Sequence, residues 1–437
     1  MGSLWFWHDP LLRAPLITCA VLGALGGAFG VFLVFRRQSL VGETLSHACY
    51  PGLIIGALLC EITGQSETFL SFVGAAVSCL IAAKAISLLE KTIPGDAALS
   101  CVLATSFSIG LLLISSVQGV YPALWRRLQM LLVGQAATMR DQQALFATCC
   151  ALLGCGFIWL FCRSLRVSLF DSDFAHLTQL TNKVVDGLFV GMLVLTVIVS
   201  VRLMGVVLMS ALFIFPVVSA RLLTTNFQRL LLFSAVIGGV CGCGGLLISN
   251  ICAFSFAGGG GHPLWLPTGP LIVLLLVGCF SCVLLFSPRE GLCIRSFRRA
   301  TFMRRCQAEN MLKAMWKECS KNEMWSMSVG RLAEISSLSR GEARCIIRRL
   351  VRKGFVEGPK RCEVSMTVQG IAMGRKLVRL HRLWELYLVE HCGVPKDRVH
   401  PNAEEMEHIL TPAIERELLA LLGNPPFDPH QQPIPMR

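Results

Sequence analysis

The chain is short of charge. Only 15% of its 437 residues are Asp, Glu, Lys or Arg, 54% are apolar, and mean hydropathy is +0.62. A soluble protein of this length carries far more polar surface, so a purely soluble fold is excluded. A second absence is the phosphate cradle: no GxxxxGK[ST] occurs, so this chain binds no nucleotide in that way and any ATP hydrolysis belongs to a partner. No nucleophile–base pattern stands out, which argues against an enzyme. The first apolar run follows only Arg13 and has no small-residue cleavage site after it, so it reads as a membrane span and not as a removed signal peptide. Cysteine is plentiful, at 20, but 14 lie before residue 289, mostly inside apolar runs. That suits small buried hydrophobes in a reducing cell better than a disulfide framework.

What is present begins with apolar runs long enough to cross a bilayer. They fall near 14–35, 45–62, 68–89, 97–117, 144–162, 184–201, 204–222, 229–254 and 270–287, about nine in all. With the N-terminus outside, Arg36, Arg37, Lys91, Arg163, Arg166, Arg221, Arg229 and the arginines from Arg289 onward all fall inside. Residues 118–143 fit less well, since Arg126 and Arg127 would lie outside, and a re-entrant or interfacial helix is expected there. "RRQSLVGETLSHACYPG" (36–52) puts Glu43, Ser46 and His47 at the cytoplasmic entry of the second span, where an ionisable group is a candidate for the transport path. The plainer reading of His47 is a helix-start residue bonded to nearby backbone. Pro216 interrupts an apolar helix within 201–223, and "LFDSDFAHLTQLTNKVVDG" (169–187), with Asp171, Asp173 and His176, is a polar insert between two spans.

Past residue 288 the character changes. Residues 1–288 carry 14 basic and 10 acidic groups, a net of +4; 289–382 carry 22 and 8, a net of +14; 383–437 carry 4 and 9, a net of −5. A basic module followed by an acidic one seeks phosphate first and cations second. "REGLCIRSFRRATFMRR" suits lipid headgroups. "SVGRLAEISSLSRGEARCIIRRLVRKGFVE" reads as helix, turn, helix, with Ser339 and Glu342 as a capping box and Arg340, Arg344, Arg348 and Arg349 on the outer face of the second helix. "GPKRCEVSMTVQG" then alternates as a short β-wing. A basic second helix in a winged pattern enters the DNA major groove; basic charge alone would also fit a solvated surface helix. The stretch 381–410 holds His381 and Glu385 at i, i+4, then His400, Glu404, Glu407 and His408. Helical spacing sets such groups on one face, as a metal site needs.

Residues 10–290 resemble the permease subunits of the ABC-3 family, membrane components of bacterial importers for manganese, zinc and iron, through 36–52, 169–187, 201–223 and "LPTGPLIVLLLV". The resemblance implies a dimeric permease (with itself or a second permease subunit), a cytosolic ATPase docking on 169–187, and an extracytoplasmic metal-binding protein. Residues 306 to the end resemble the diphtheria-toxin-repressor and manganese-repressor family. That likeness implies metal ligands at His381, Glu385, His400, Glu404, Glu407 and His408, and operator DNA on Ser339, Arg340, Arg344 and Arg348. Two departures stand out. Asn310 and Lys313 occupy positions where manganese-type members carry Asp and Glu, and no counterpart of the SH3-like domain of longer members is expected after "DPHQQPIPMR". Oxygen and nitrogen ligands suit Mn²⁺ or Fe²⁺, with Zn²⁺ also compatible. Glu404, standing where iron-type members have cysteine, leans toward manganese; the fusion itself resembles that of chlamydial metal-uptake operons and points to iron.

The expected architecture is an all-α polytopic membrane domain of about nine transmembrane helices, then a winged helix-turn-helix domain and a helical metal-binding and dimerisation domain. The expected divisions are permease 1–288, basic linker 289–305, DNA-binding domain 306–370 and metal-binding domain 371–437. The expected place is the bacterial inner membrane, with the tail cytosolic and released by a cut between about 288 and 308. Iron is the expected ion. The competing readings are a membrane-anchored sensor without transport and a secondary transporter with a regulatory tail.

Overall fold

A computed structural model describes residues 10–64, 67–133, 139–170, 183–257, 266–322, 324–360 and 363–435. The chain divides into two compact units, Met1–Ile294 and Arg295–Arg437.

The first unit is helical: α1 (Pro10–Phe35), α2 (Val41–Thr63), α3 (Glu67–Leu89), α4 (Gly95–Val120), α5 (Pro122–Val133), α6 (Asp141–Phe170), α7 (Lys183–Met204), α8 (Val206–Leu223), α9 (Phe227–Ala257) and α10 (Thr268–Phe286). Among the described residues nine of these, all but α5, are long and apolar enough to cross a membrane. At 12 residues α5 is too short to do so, and Arg126 and Arg127 are exposed on it.

Between apolar helices in lipid, close backbone approach and interhelical hydrogen bonds supply the attraction. Here α1 meets α9 through glycine. A Cβ on Gly23 would lie 2.4 Å from the Gly238 carbonyl oxygen, and the Ser234 hydroxyl donates to the Gly27 carbonyl at 2.7 Å. The α2–α3 pair repeats the device with Gly52 against Gly74 and Ser78 donating to the Ala48 carbonyl at 2.7 Å. Gly205, at φ +92°, breaks the chain between α7 and α8, and Pro216 lies inside α8. Every described cysteine is free.

The second unit opens with α11 (Leu292–Asn322) from Arg295 on, followed by β1 (Ser326–Ser328), α12 (Val329–Ile335), α13 (Arg340–Arg352), β2 (Val356–Lys360) and β3 (Glu363–Met366). The antiparallel sheet has the order β1-β3-β2, with Ser326 opposite Ser365 and Val356 opposite Met366. Met311, Met315, Leu332, Ile346, Leu350 and Val364 form its core. The rest of the unit is α14 (Val368–Glu390), α15 (Val399–Met406) and α16 (Pro412–Leu422).

Candidate metal centre and basic helix

Three donors converge where α14 passes α15. His381 and Glu385 sit one turn apart on α14, and His400 faces them from the start of α15. His381 Nε2 lies 3.2 Å from Glu385 Oε1 and 3.1 Å from His400 Nδ1, and His400 Nδ1 lies 2.8 Å from the same Glu385 oxygen. Ligand atoms bound at about 2.0–2.2 Å to one ion stand roughly 3.0–3.5 Å apart, so the triangle needs little adjustment to take one. His381 and Glu385 are buried, whereas the His400 side chain is 58% exposed and leaves an entry side. Two imidazoles and one carboxylate form a set that iron(II), manganese(II) and zinc(II) all accept.

The charges are arranged for it. Burial pushes the Glu385 carboxyl up, but hydrogen bonds from His381 and His400 outweigh that and hold it at about 2. His381 is pushed down by burial and raised, on balance, by its bonds to Glu385 and Glu407. Glu407 Oε2 accepts from His381 Nδ1 at 2.6 Å. That bond fixes the ring with Nε2 turned toward Glu385 and His400, the arrangement an outer carboxylate gives a metal-binding histidine.

The remaining residues of the expected ligand set are elsewhere. Glu404 is exposed and outside the triangle. Glu407 and His408 are buried, but they turn toward α11: Glu407 Oε1 accepts from Lys313 Nζ at 2.6 Å, His408 Nδ1 donates to Glu309 Oε2 at 2.7 Å, and His408 Nε2 is 2.9 Å from Asn310 Oδ1. Glu309 also takes Arg305 at 2.7 Å; burial raises its carboxyl, while the bonds to His408 and Arg305 bring it below the ordinary range. Sequence reasoning singled out Lys313 and Asn310 but not Glu309, whose only signal was its place beside Asn310.

On the basic helix α13, the capping box forms as its spacing requires. Ser339 Oγ accepts from the Glu342 amide at 3.3 Å, and Glu342 returns a carboxylate to the Ser339 amide at 3.0 Å. Ala343, Ile346, Ile347 and Leu350 are buried, which leaves Arg340, Arg344 and Arg348 exposed along one stripe. Arg349 is tied down, donating to the Arg304 carbonyl at 3.1 Å.

In the membrane unit, the Ser46 hydroxyl is satisfied by the Gly42 carbonyl at 2.7 Å within α2. His47 Nδ1 is buried without a hydrogen bond, its ring edge-on to Phe107 at 4.9 Å. Glu43 is half-buried in the first turn of α2. Asp171, Asp173 and His176 lie outside the described residues.

The ABC 3 transport family matches residues 8–287. The chain belongs to that family. It is a membrane permease subunit, not an enzyme. Residues 367–436 match the iron dependent repressor, metal binding and dimerisation domain, so α14 to α16 and the metal triangle fall within a regulator-like module. A "Probable metal transport system membrane protein" of Chlamydia trachomatis is 34% identical over 99% of this chain and 97% of its own length. The "Manganese transport system membrane protein MntC" of Bacillus subtilis is 26% identical over 97% and 95%. Among solved structures, PsaBC from Streptococcus pneumoniae in complex with Fab is 25% identical and covers 64% of this chain and 94% of that one, at a TM-score of 0.54.

Proposed function

We propose that the chain is the permease subunit of an importer for a divalent transition metal, iron(II), with a metal-dependent winged-helix repressor as its tail. The observation that carries this reading is the triangle of His381, Glu385 and His400 in the same chain as an ABC 3 permease. A two-histidine, one-carboxylate set with open positions suits iron(II) among first-row ions; manganese(II) and zinc(II) share the donor preference and are the competitors. The ion bound there orders α14 against α15 and sets the spacing of two copies of α13 in a dimer, so that Arg340, Arg344 and Arg348, with Ser339 at the helix start, meet operator DNA.

The remaining parts follow from the same reading. Residues 1–288 span the bacterial inner membrane, with Glu43, Ser46 and His47 beside the path; 169–187 docks on a separate cytosolic ATPase; an extracytoplasmic protein delivers the ion; and a second permease subunit or a second copy completes the pore. Residues 289–305 link to a cytosolic DNA-binding domain, 306–370, and a metal-binding domain, 371–437. The junction carries the cleavage that frees the repressor. Its side chains are exposed from Arg295 to Arg305, while Ala308 belongs to the core of the second unit, so the cut falls before the core begins. The test is gel retardation of a palindromic operator by residues 295–437. Retardation that requires iron(II) and is lost in Glu385→Ala supports the reading, and retardation indifferent to metal overturns it.

A further inference from the structure

The second cluster, at the contact of α11 with the end of α15, has the outline of a cation site and already contains a cation. Glu407, His408, Glu309 and Asn310 bring two carboxylates, an imidazole and an amide together from chain positions about a hundred residues apart. Every inward donor is engaged. Glu407 Oε1 is taken by Lys313 Nζ at 2.6 Å and Oε2 by His381 Nδ1 at 2.6 Å; His408 uses Nδ1 on Glu309 at 2.7 Å and Nε2 on Asn310 at 2.9 Å. The Lys313 and Glu407 side chains are 7% and 0% exposed. An ammonium has three donors and no lone pair, so it repels an incoming metal ion and offers it nothing. A buried carboxylate without a partner is costly, and Lys313 supplies the compensating charge.

We propose that Lys313 is a built-in cation: it takes the place of a second metal ion between α11 and residues 399–408, so the unit holds one ion and this contact stays clamped without any. The one-ion count rests on the metal centre proposed above; the clamp does not. Lys313 is also a positioning residue for that centre. It neutralises Glu407, Glu407 holds His381 Nδ1, and His381 Nε2 is left aimed at Glu385 and His400. Two regions of the regulator thus share one carboxylate, with a covalently attached charge on one side and an exchangeable ion on the other.

The experiment uses the full chain in lipid nanodiscs, dialysed anaerobically against iron(II) and counted by elemental analysis. His408→Ala is expected to leave the number of ions per chain unchanged, and Lys313→Glu, which exchanges the ammonium for a third carboxylate, to raise it by one. A loss of one ion in His408→Ala, or no gain in a folded Lys313→Glu chain, overturns the proposal. His400→Ala serves as the separate arm: it is expected to remove one ion, and its failure to do so counts against the metal centre at His381, Glu385 and His400 while leaving the clamp standing. Amide hydrogen exchange of residues 399–410 in the metal-free chain reads the clamp directly. Protection in the wild type that falls at least tenfold in Lys313→Met supports it, and equal exchange in the two chains refutes it.

Discussion

Glu385→Gln is the substitution from which most follows, because it keeps the shape of a buried side chain and removes its charge. In the metal-free unit the Glu385 carboxyl is held at about 2, against an ordinary value near 4.5, by His381 and His400. At 1.36 kcal/mol per unit of pKa, and with the side chain only 3% exposed, the ionised form contributes about 3 kcal/mol of stability. Because the folded value is depressed, that contribution is present above about 4.5 and is lost as pH falls toward 2. The partner works in the opposite sense. His381 is raised, so its share is present below its ordinary 6.5 and is lost as pH rises through the folded value. The cost of Glu385→Gln without metal therefore peaks between about pH 4.5 and 6.5. Metal adds a second difference. An ion at a hundred times its Kd stabilises the wild-type unit by about 2.7 kcal/mol. For a unit of this size that raises Tm by about 8–12 °C. Thermal unfolding of residues 295–437 with and without iron(II) should show this rise in the wild type and almost none in Glu385→Gln. An equal rise in both would refute the assignment of Glu385 as a ligand.

Three further outcomes are expected. Arg344→Ala should weaken operator binding and lower the salt slope by about 0.9 per recognition helix, with iron(II) affinity unchanged; an unchanged slope places Arg344 off the phosphates. Replacing 169–187 by a flexible polar segment should leave the permease in the membrane while ATP hydrolysis by the partner no longer drives uptake in proteoliposomes, and coupled uptake by that variant would remove the docking role. An antibody against the C-terminus should detect a soluble fragment of roughly 15 kDa in cell extracts, and a variant with residues 289–305 scrambled should show only the full-length chain; repression without any fragment would make release unnecessary.

The spans were legible because each is a continuous apolar run, a one-dimensional signal that lipid enforces without reference to neighbours. The glycine contacts at Gly23 and Gly52 were not, since many glycines lie in apolar segments and only packing shows which ones meet another backbone. The basic helix α13 was readable to its cap, because Ser339 and Glu342 act over three residues. The metal residues were readable as types and only in part as a site. His381 and Glu385 are one helical turn apart, so their pairing is local, and His400 follows within the same module. The division of labour among the others depends on α11, which reaches them from 94 residues away at Lys313 and 99 at Glu309. The resemblance therefore implied six ligands together, whereas the fold separates a triangle, an exposed Glu404, and a Glu407–His408 pair bonded to α11.

The central claim is that the tail senses metal at His381, Glu385 and His400. Anomalous diffraction from crystals of residues 295–437 soaked anaerobically in iron(II), recorded on either side of the iron edge, addresses it most directly. The account predicts one strong peak per chain, about 2.0–2.2 Å from His381 Nε2, His400 Nδ1 and a Glu385 carboxylate oxygen. A principal peak between Glu404, Glu407 and His408, with the triangle empty, would contradict it.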